Sequence, residues 1–104
     1  MPMILAVDFD MTLSLAHYPH IGEPNTPLFE YLIGKREEGH TIILWTCREG
    51  PELDAAVRFC ASQGLEFDYV NENAPWLGYD CRKVVADMYI DDLAVNALEL
   101  SAEL

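Results

Sequence analysis

Three apolar runs in this chain end in side chains suited to one kind of chemistry. Asp8 and Asp10 flank Phe9 at the end of the run Met3–Phe9. On extended backbone, residues two apart point the same way, so both carboxylates face one side and Phe9 the other. Asp91 and Asp92 follow a second run, Ala86–Ile90. If the two runs are neighbouring strands, up to four carboxylates converge, and such crowding disfavours joint ionisation unless a cation neutralises it. Oxygen-only ligands select a hard divalent ion, with Mg²⁺ the default. The run Thr41–Thr46 leads into Cys47 and Arg48. The Thr46 hydroxyl can donate to a phosphoryl oxygen, and Lys83 offers a compact positive charge for the same group. Acid and metal on one side, with hydroxyl and cation on the other, suit phosphoryl transfer.

The elements that must position these groups are legible as an alternation. Met3–Phe9, Thr41–Thr46, Leu65–Val70 and Ala86–Ile90 read as strands. Three of them are almost continuously apolar, the pattern of parallel strands buried on both faces. A first helix begins at Thr26–Pro27, with Thr as N-cap and Pro at the first helical position, and stops near Gly39. Leu28, Tyr31, Leu32 and Ile33 form its apolar side. A second helix runs from Pro51 to about Gln63, with Glu52 in its first turn and Gly64 as the stop. Its stripe of Leu53, Ala56, Val57, Cys60 and Ala61 has helical spacing and reads as core. A last helix is predicted over Ala94–Ala102. The order βαβαβ(α)βα with right-handed crossovers predicts an open, parallel, Rossmann-like α/β sheet in one domain spanning residues 1–104. The loops Leu13–Asn25 and Asn71–Asp80 follow strands and therefore lie at the carboxyl edge, where such sheets bind ligands.

Composition narrows the partners. The chain has 104 residues, 51% of them hydrophobic, and a formal charge of −12. That charge excludes a broad nucleic-acid or anionic-membrane surface, which needs a basic stripe. Met1 to Val7 has no basic n-region, and no apolar run is long enough to span a bilayer. Cys47, Cys60 and Cys81 are odd in number and lack metal-type spacing, which predicts a reducing, cytoplasmic setting.

Taken together, Asp8-Phe9-Asp10-Met11-Thr12, Thr46, Lys83 and Asp91-Asp92 resemble the four ordered motifs of the haloacid dehalogenase-like hydrolase superfamily. The resemblance extends from Ala6 to about Asn96. The strings Ile43–Arg48 and Ala86–Asp92 are similar to small bacterial and phage-type members. Met11 stands where the family usually has Gly, and Leu93 where small members often have Arg. The resemblance implies a Mg²⁺-dependent phosphatase with Asp8 as nucleophile and Asp10 as general acid and base. It implies that the metal meets Asp8, the main-chain carbonyl of Asp10 and Asp91, with Asp92 through water. Thr46 and Lys83 would hold the phosphoryl oxygens, and backbone N–H groups after Asp8 would add a small anion-binding nest.

Further residues are assigned from their place in the chain. His17, Tyr18 and His20 lie in the loop entering the site, where substrate contact competes with plain packing. Arg48 is suited to a distal anionic group on the substrate. Trp76 and Tyr79 form either the far wall of the pocket or the cover of a loop. His40 reads as structural, Trp45 as strand core and Cys47 as a spectator. Asp10 and Thr46 are 36 positions apart, and Thr46 and Lys83 are 37 apart. Those gaps are already filled by the predicted elements, and an independent fold needs about 40 residues of its own. This predicts a capless protein whose open site is covered by its own loops, by a large phosphorylated substrate or by self-association, with self-association preferred because Tyr18, Trp76, Leu77 and Tyr79 cluster at that edge. The competing readings are a phosphoacceptor signalling domain, which carries its acceptor Asp on the third strand where this chain offers only Asp68, inside the strand, and a non-catalytic binding or regulatory domain.

Overall fold

The computed structural model describes residues 2–77 and 86–91. Its elements are β1 (Ile4–Val7), α1 (Thr26–Glu37), β2 (Thr41–Leu44), α2 (Gly50–Ser62), β3 (Tyr69–Val70), a 3₁₀ turn (Pro75–Leu77) and β4 (Met88–Ile90). All four predicted strands are present, each shorter than its apolar run. The expected last helix, Lys83, Asp92, Tyr79, Cys81 and Leu93 lie outside the described residues.

The strands form one parallel sheet in the order β3-β2-β1-β4. Two successive right-handed crossovers in the same direction put α1 and α2 on the same face. Leu5, Val7, Ile42, Leu44 and Ile90 meet them there, packed with Leu28, Phe29 and Leu32 of α1 and Ala56 and Cys60 of α2. Phe59 ties the layers together, its ring set edge-on to Phe9 at 6.0 Å and to Phe29 at 6.2 Å. Burying each large apolar side chain stabilises by about 1.5–3 kcal/mol. Burial also pushes the Cys60 thiol up to about 12, which keeps it protonated and unreactive at neutral pH. The opposite face is smaller and aromatic, with Ala6 and Ile43 buried beneath Ile4, Trp45, Tyr69 and Tyr89.

Several local expectations are corrected. The N-cap of α1 is Asn25 rather than Thr26, and its side chain makes no cap bond. Instead Asn25 Nδ2 donates to the Thr12 carbonyl at 3.1 Å, so the residue fastens the preceding loop to the helix start. Phe29 joins the α1 core, whereas Ala61 of α2 is exposed because the helix turns that position outward. Trp45 is not strand core: β2 ends at Leu44, and Trp45 is half-buried on the aromatic face. His40 is structural as expected, its Nδ1 accepting the Met3 N–H at 2.9 Å. Among the described residues no helix is long and apolar enough to cross a membrane.

Candidate active site

The sheet register carries the site. Val7 pairs with Leu44 on one side and with Ile90 on the other. The next residue of each strand therefore falls in one row: Trp45, Asp8 and Asp91. Two backbone bonds extend the ladder into this row, Asp8 N–H to Ile90 O at 2.9 Å and Trp45 N–H to Val7 O at 2.9 Å. Neighbouring strands lie about 4.8 Å apart, which brings Asp8 and Asp91 side by side. Val7 faces the helices, so the following row projects from the opposite face. Asp8, Trp45, Thr46, Cys47 and Asp91 line a cavity of about 200 Å³ at the carboxyl edge. The chain leaves β1 toward β2, while β4 lies on the other side of β1. The cavity thus opens at the point where strand order reverses, the usual ligand crevice of an open α/β sheet.

Thr46 is held on both sides. Its N–H donates to Asn71 Oδ1 at 2.7 Å, and its hydroxyl accepts the Arg48 N–H at 3.2 Å. A hydroxyl that accepts from the protein keeps its own proton available to a ligand. Nothing in the pattern of acids, hydroxyls and cations points to Asn71. It has φ of 55° and donates its N–H to Leu44 O at 2.7 Å, closing the end of β3 onto β2. The available signal was an Asn directly after an apolar run, since Asn tolerates the left-handed region better than most residues.

Asp10 departs from expectation. Because β1 ends at Val7, two-residue alternation no longer fixes its direction, and Asp10 does not line the cavity with Asp8. Its carboxylate lies in the fork of Arg48, with Nη2–Oδ1 at 2.7 Å and Nε–Oδ2 at 3.1 Å. Arg48 is correspondingly not an outward-facing contact for a distal anion: it is buried, and a charge so placed is retained only by pairing.

The turn after Asp10 is tight. Met11 has φ of 58°, the left-handed conformation that explains why glycine suits this place. The N–H groups of Thr12, Leu13 and Ser14 all turn back to Phe9 O, at 3.0–3.2 Å, and Met11 N–H reaches Ala16 O at 3.2 Å. Those four donors serve the loop, so the expected nest does not draw on them. The rest of the loop is closed on itself through Leu15 N–H to Glu23 O at 2.9 Å and Gly22 N–H to Ser14 Oγ at 3.0 Å. His17, Tyr18 and His20 stand exposed on it. His17 is not among the cavity-lining residues. Neither is Trp76, which packs on Tyr69 at 6.0 Å beside the edge strand β3, two strands from β1. Asp68 precedes β3 rather than lying inside it.

Among the described residues no group of three or more His, Cys, Asp or Glu side chains is arranged to hold a metal ion. Asp8 and Asp91 nevertheless fit Mg²⁺, which commonly takes one or two carboxylates and completes its shell with water and substrate phosphate.

No family model matches the chain, and no curated protein matches it. The chain is similar to a solved structure described as that of the conserved protein coded by locus from Bacteroides thetaiotaomicron, with 42% identity and a TM-score of 0.80, covering 89% of this chain and 78% of that one.

Proposed function

Starting from a chain that belongs to the family of that conserved Bacteroides thetaiotaomicron protein, we propose that it is a Mg²⁺-dependent phosphatase of the haloacid dehalogenase-like type, acting through an aspartyl-phosphate. The observation that carries this reading is the cavity shared by Asp8, Asp91 and Thr46. A carboxylate nucleophile, a second carboxylate beside it and a hydroxyl donor are the minimum set for phosphoryl transfer to an acid side chain.

Asp8 attacks phosphorus through a carboxylate oxygen, and the bond from phosphorus to the substrate oxygen breaks. Asp10 delivers a proton to the departing oxygen, then takes one from the water that attacks the aspartyl-phosphate, releasing inorganic phosphate and restoring Asp8. Thr46 donates to a phosphoryl oxygen, and Lys83 carries the matching charge. Asp8 and Asp91, with Asp92 and the Asp10 carbonyl, would hold Mg²⁺, which when bound supplies the positive charge that lets a carboxylate approach an anionic phosphoryl group. That charge matters on a chain of net charge −12, whose field repels phosphate. The position of Asp68 speaks against a phosphoacceptor signalling domain: it lies at the amino end of β3, while an acceptor would belong at the carboxyl end.

The test is hydrolysis of p-nitrophenyl phosphate with Mg²⁺ and after chelation. Metal-dependent release of inorganic phosphate supports the reading. Stable phosphorylation without release would favour the signalling alternative.

A further inference from the structure

The Arg48 side chain is 1% exposed, an unfavourable place for a guanidinium unless it is fully engaged. It is engaged. Nε and Nη2 grip both oxygens of Asp10, at 3.1 and 2.7 Å. Nη2 also donates to His20 O at 3.0 Å, and Nη1 to Glu52 O at 3.3 Å. The rings of Phe9 and Tyr18 lie 4.7 and 5.1 Å from Cζ. Four of the five N–H protons are thus committed to protein acceptors, which leaves little capacity for a substrate anion. A planar fork on a carboxylate fixes its orientation as well as its charge.

Resting on the phosphatase reading, we infer that Arg48 is a positioning residue for proton transfer by Asp10, not a substrate-binding one. The fork grips both Asp10 oxygens, so the acid carries its proton on a lone pair turned away from Arg48. Giving that proton to the leaving oxygen restores the carboxylate that the guanidinium favours. In the following step the same orientation serves to take a proton from water. His20 joins this arrangement through its carbonyl, which ties the Leu13–Asn25 loop to the acid.

The prediction separates from a merely structural role by leaving group. Phenyl phosphate needs a proton on its departing oxygen, whereas 2,4-dinitrophenyl phosphate releases a stable anion. Arg48→Met should lower kcat/KM on phenyl phosphate by about 10²-fold, the scale of a misplaced acid. It should leave kcat/KM on the dinitrophenyl ester and inhibition by inorganic phosphate nearly unchanged. An equal loss on both esters, or weakened inhibition by phosphate, would overturn the inference, and so would a rise in rate. If Arg48→Met does not fold, Arg48→Lys keeps the stem and charge without the planar fork and is read by the same ratio. Wild-type protein inactive on both esters would instead overturn the phosphatase reading itself.

Discussion

The two edges of the sheet use the same residue type in opposite ways. At the amino edge, Asp68 sits just before β3 and exchanges two bonds with β2: its N–H reaches Ile42 O at 2.8 Å, and its Oδ2 accepts Ile42 N–H at 2.8 Å. Asp87 repeats the device before β4, with N–H to Ile4 O at 2.8 Å and Oδ2 accepting Ile4 N–H at 2.6 Å. Arg36 further pairs with Asp68 at 3.1 Å. These carboxylates continue the ladder where backbone partners run out. At the carboxyl edge, Asp8 and Asp91 line a cavity with Thr46 instead. An acid at a strand start completes the sheet, and on the proposed reading an acid at a strand end serves a ligand.

The largest effects should fall on the carboxyl edge. Asp8→Asn should abolish turnover with the fold intact, because an amide fills the same space but does not attack phosphorus; near-wild-type activity would remove the covalent route. Asp10→Asn should slow turnover by roughly 10²–10⁴-fold. Next in size is metal binding. At a Mg²⁺ concentration of about 100 times its Kd the folded state gains about 2.7 kcal/mol, seen as a higher Tm at matched ionic strength. Asp91→Ala should erase that gain, and identical wild-type melts with and without Mg²⁺ would dissolve the contrast between the edges.

The amino edge should respond in stability alone. Asp68→Ala and Asp87→Ala each remove the side-chain acceptor of a strand N–H that is part-buried at Ile42 and exposed at Ile4, a cost of about 0.5–1.5 kcal/mol each by denaturant titration. Activity per folded molecule should hold. Loss of activity at unchanged stability would mean that these acids belong to the site. The smallest effect concerns Met11: a side chain in the left-handed region costs about 1–2 kcal/mol, partly offset by the greater unfolded-state freedom of glycine. Met11→Gly should therefore raise stability by up to about 1 kcal/mol, and a loss would show that the Met11 side chain contributes packing that outweighs the strain.

What could be read in the sequence follows from the same contrast. Asp8, Thr46 and Asp91 were legible because each closes an apolar run, and parallel pairing brings run ends to one edge. Asp68 and Asp87 have the same chemistry, but their role depends on which strand lies alongside, which local pattern does not encode. The Asp10–Arg48 pair spans 38 positions and forms only because the loop after β1 folds back with Met11 left-handed. Trp45 reads as core in the sequence because the apolar run continues one residue past the point where β2 stops. Phe29 shares one helical stripe with Leu28 and Leu32, but the apolar neighbours Tyr31 and Ile33 blur that stripe in the sequence.

The central claim is that Asp8 carries the phosphoryl group during turnover. Quenching the protein in the act of hydrolysing p-nitrophenyl phosphate, reducing with borohydride and mapping peptides tests this directly. Reduction of an acyl phosphate converts its aspartate to homoserine, so the account predicts homoserine at position 8, dependent on Mg²⁺ and absent from Asp8→Asn. Homoserine at another aspartate, or at none while phosphate is being released, would contradict it.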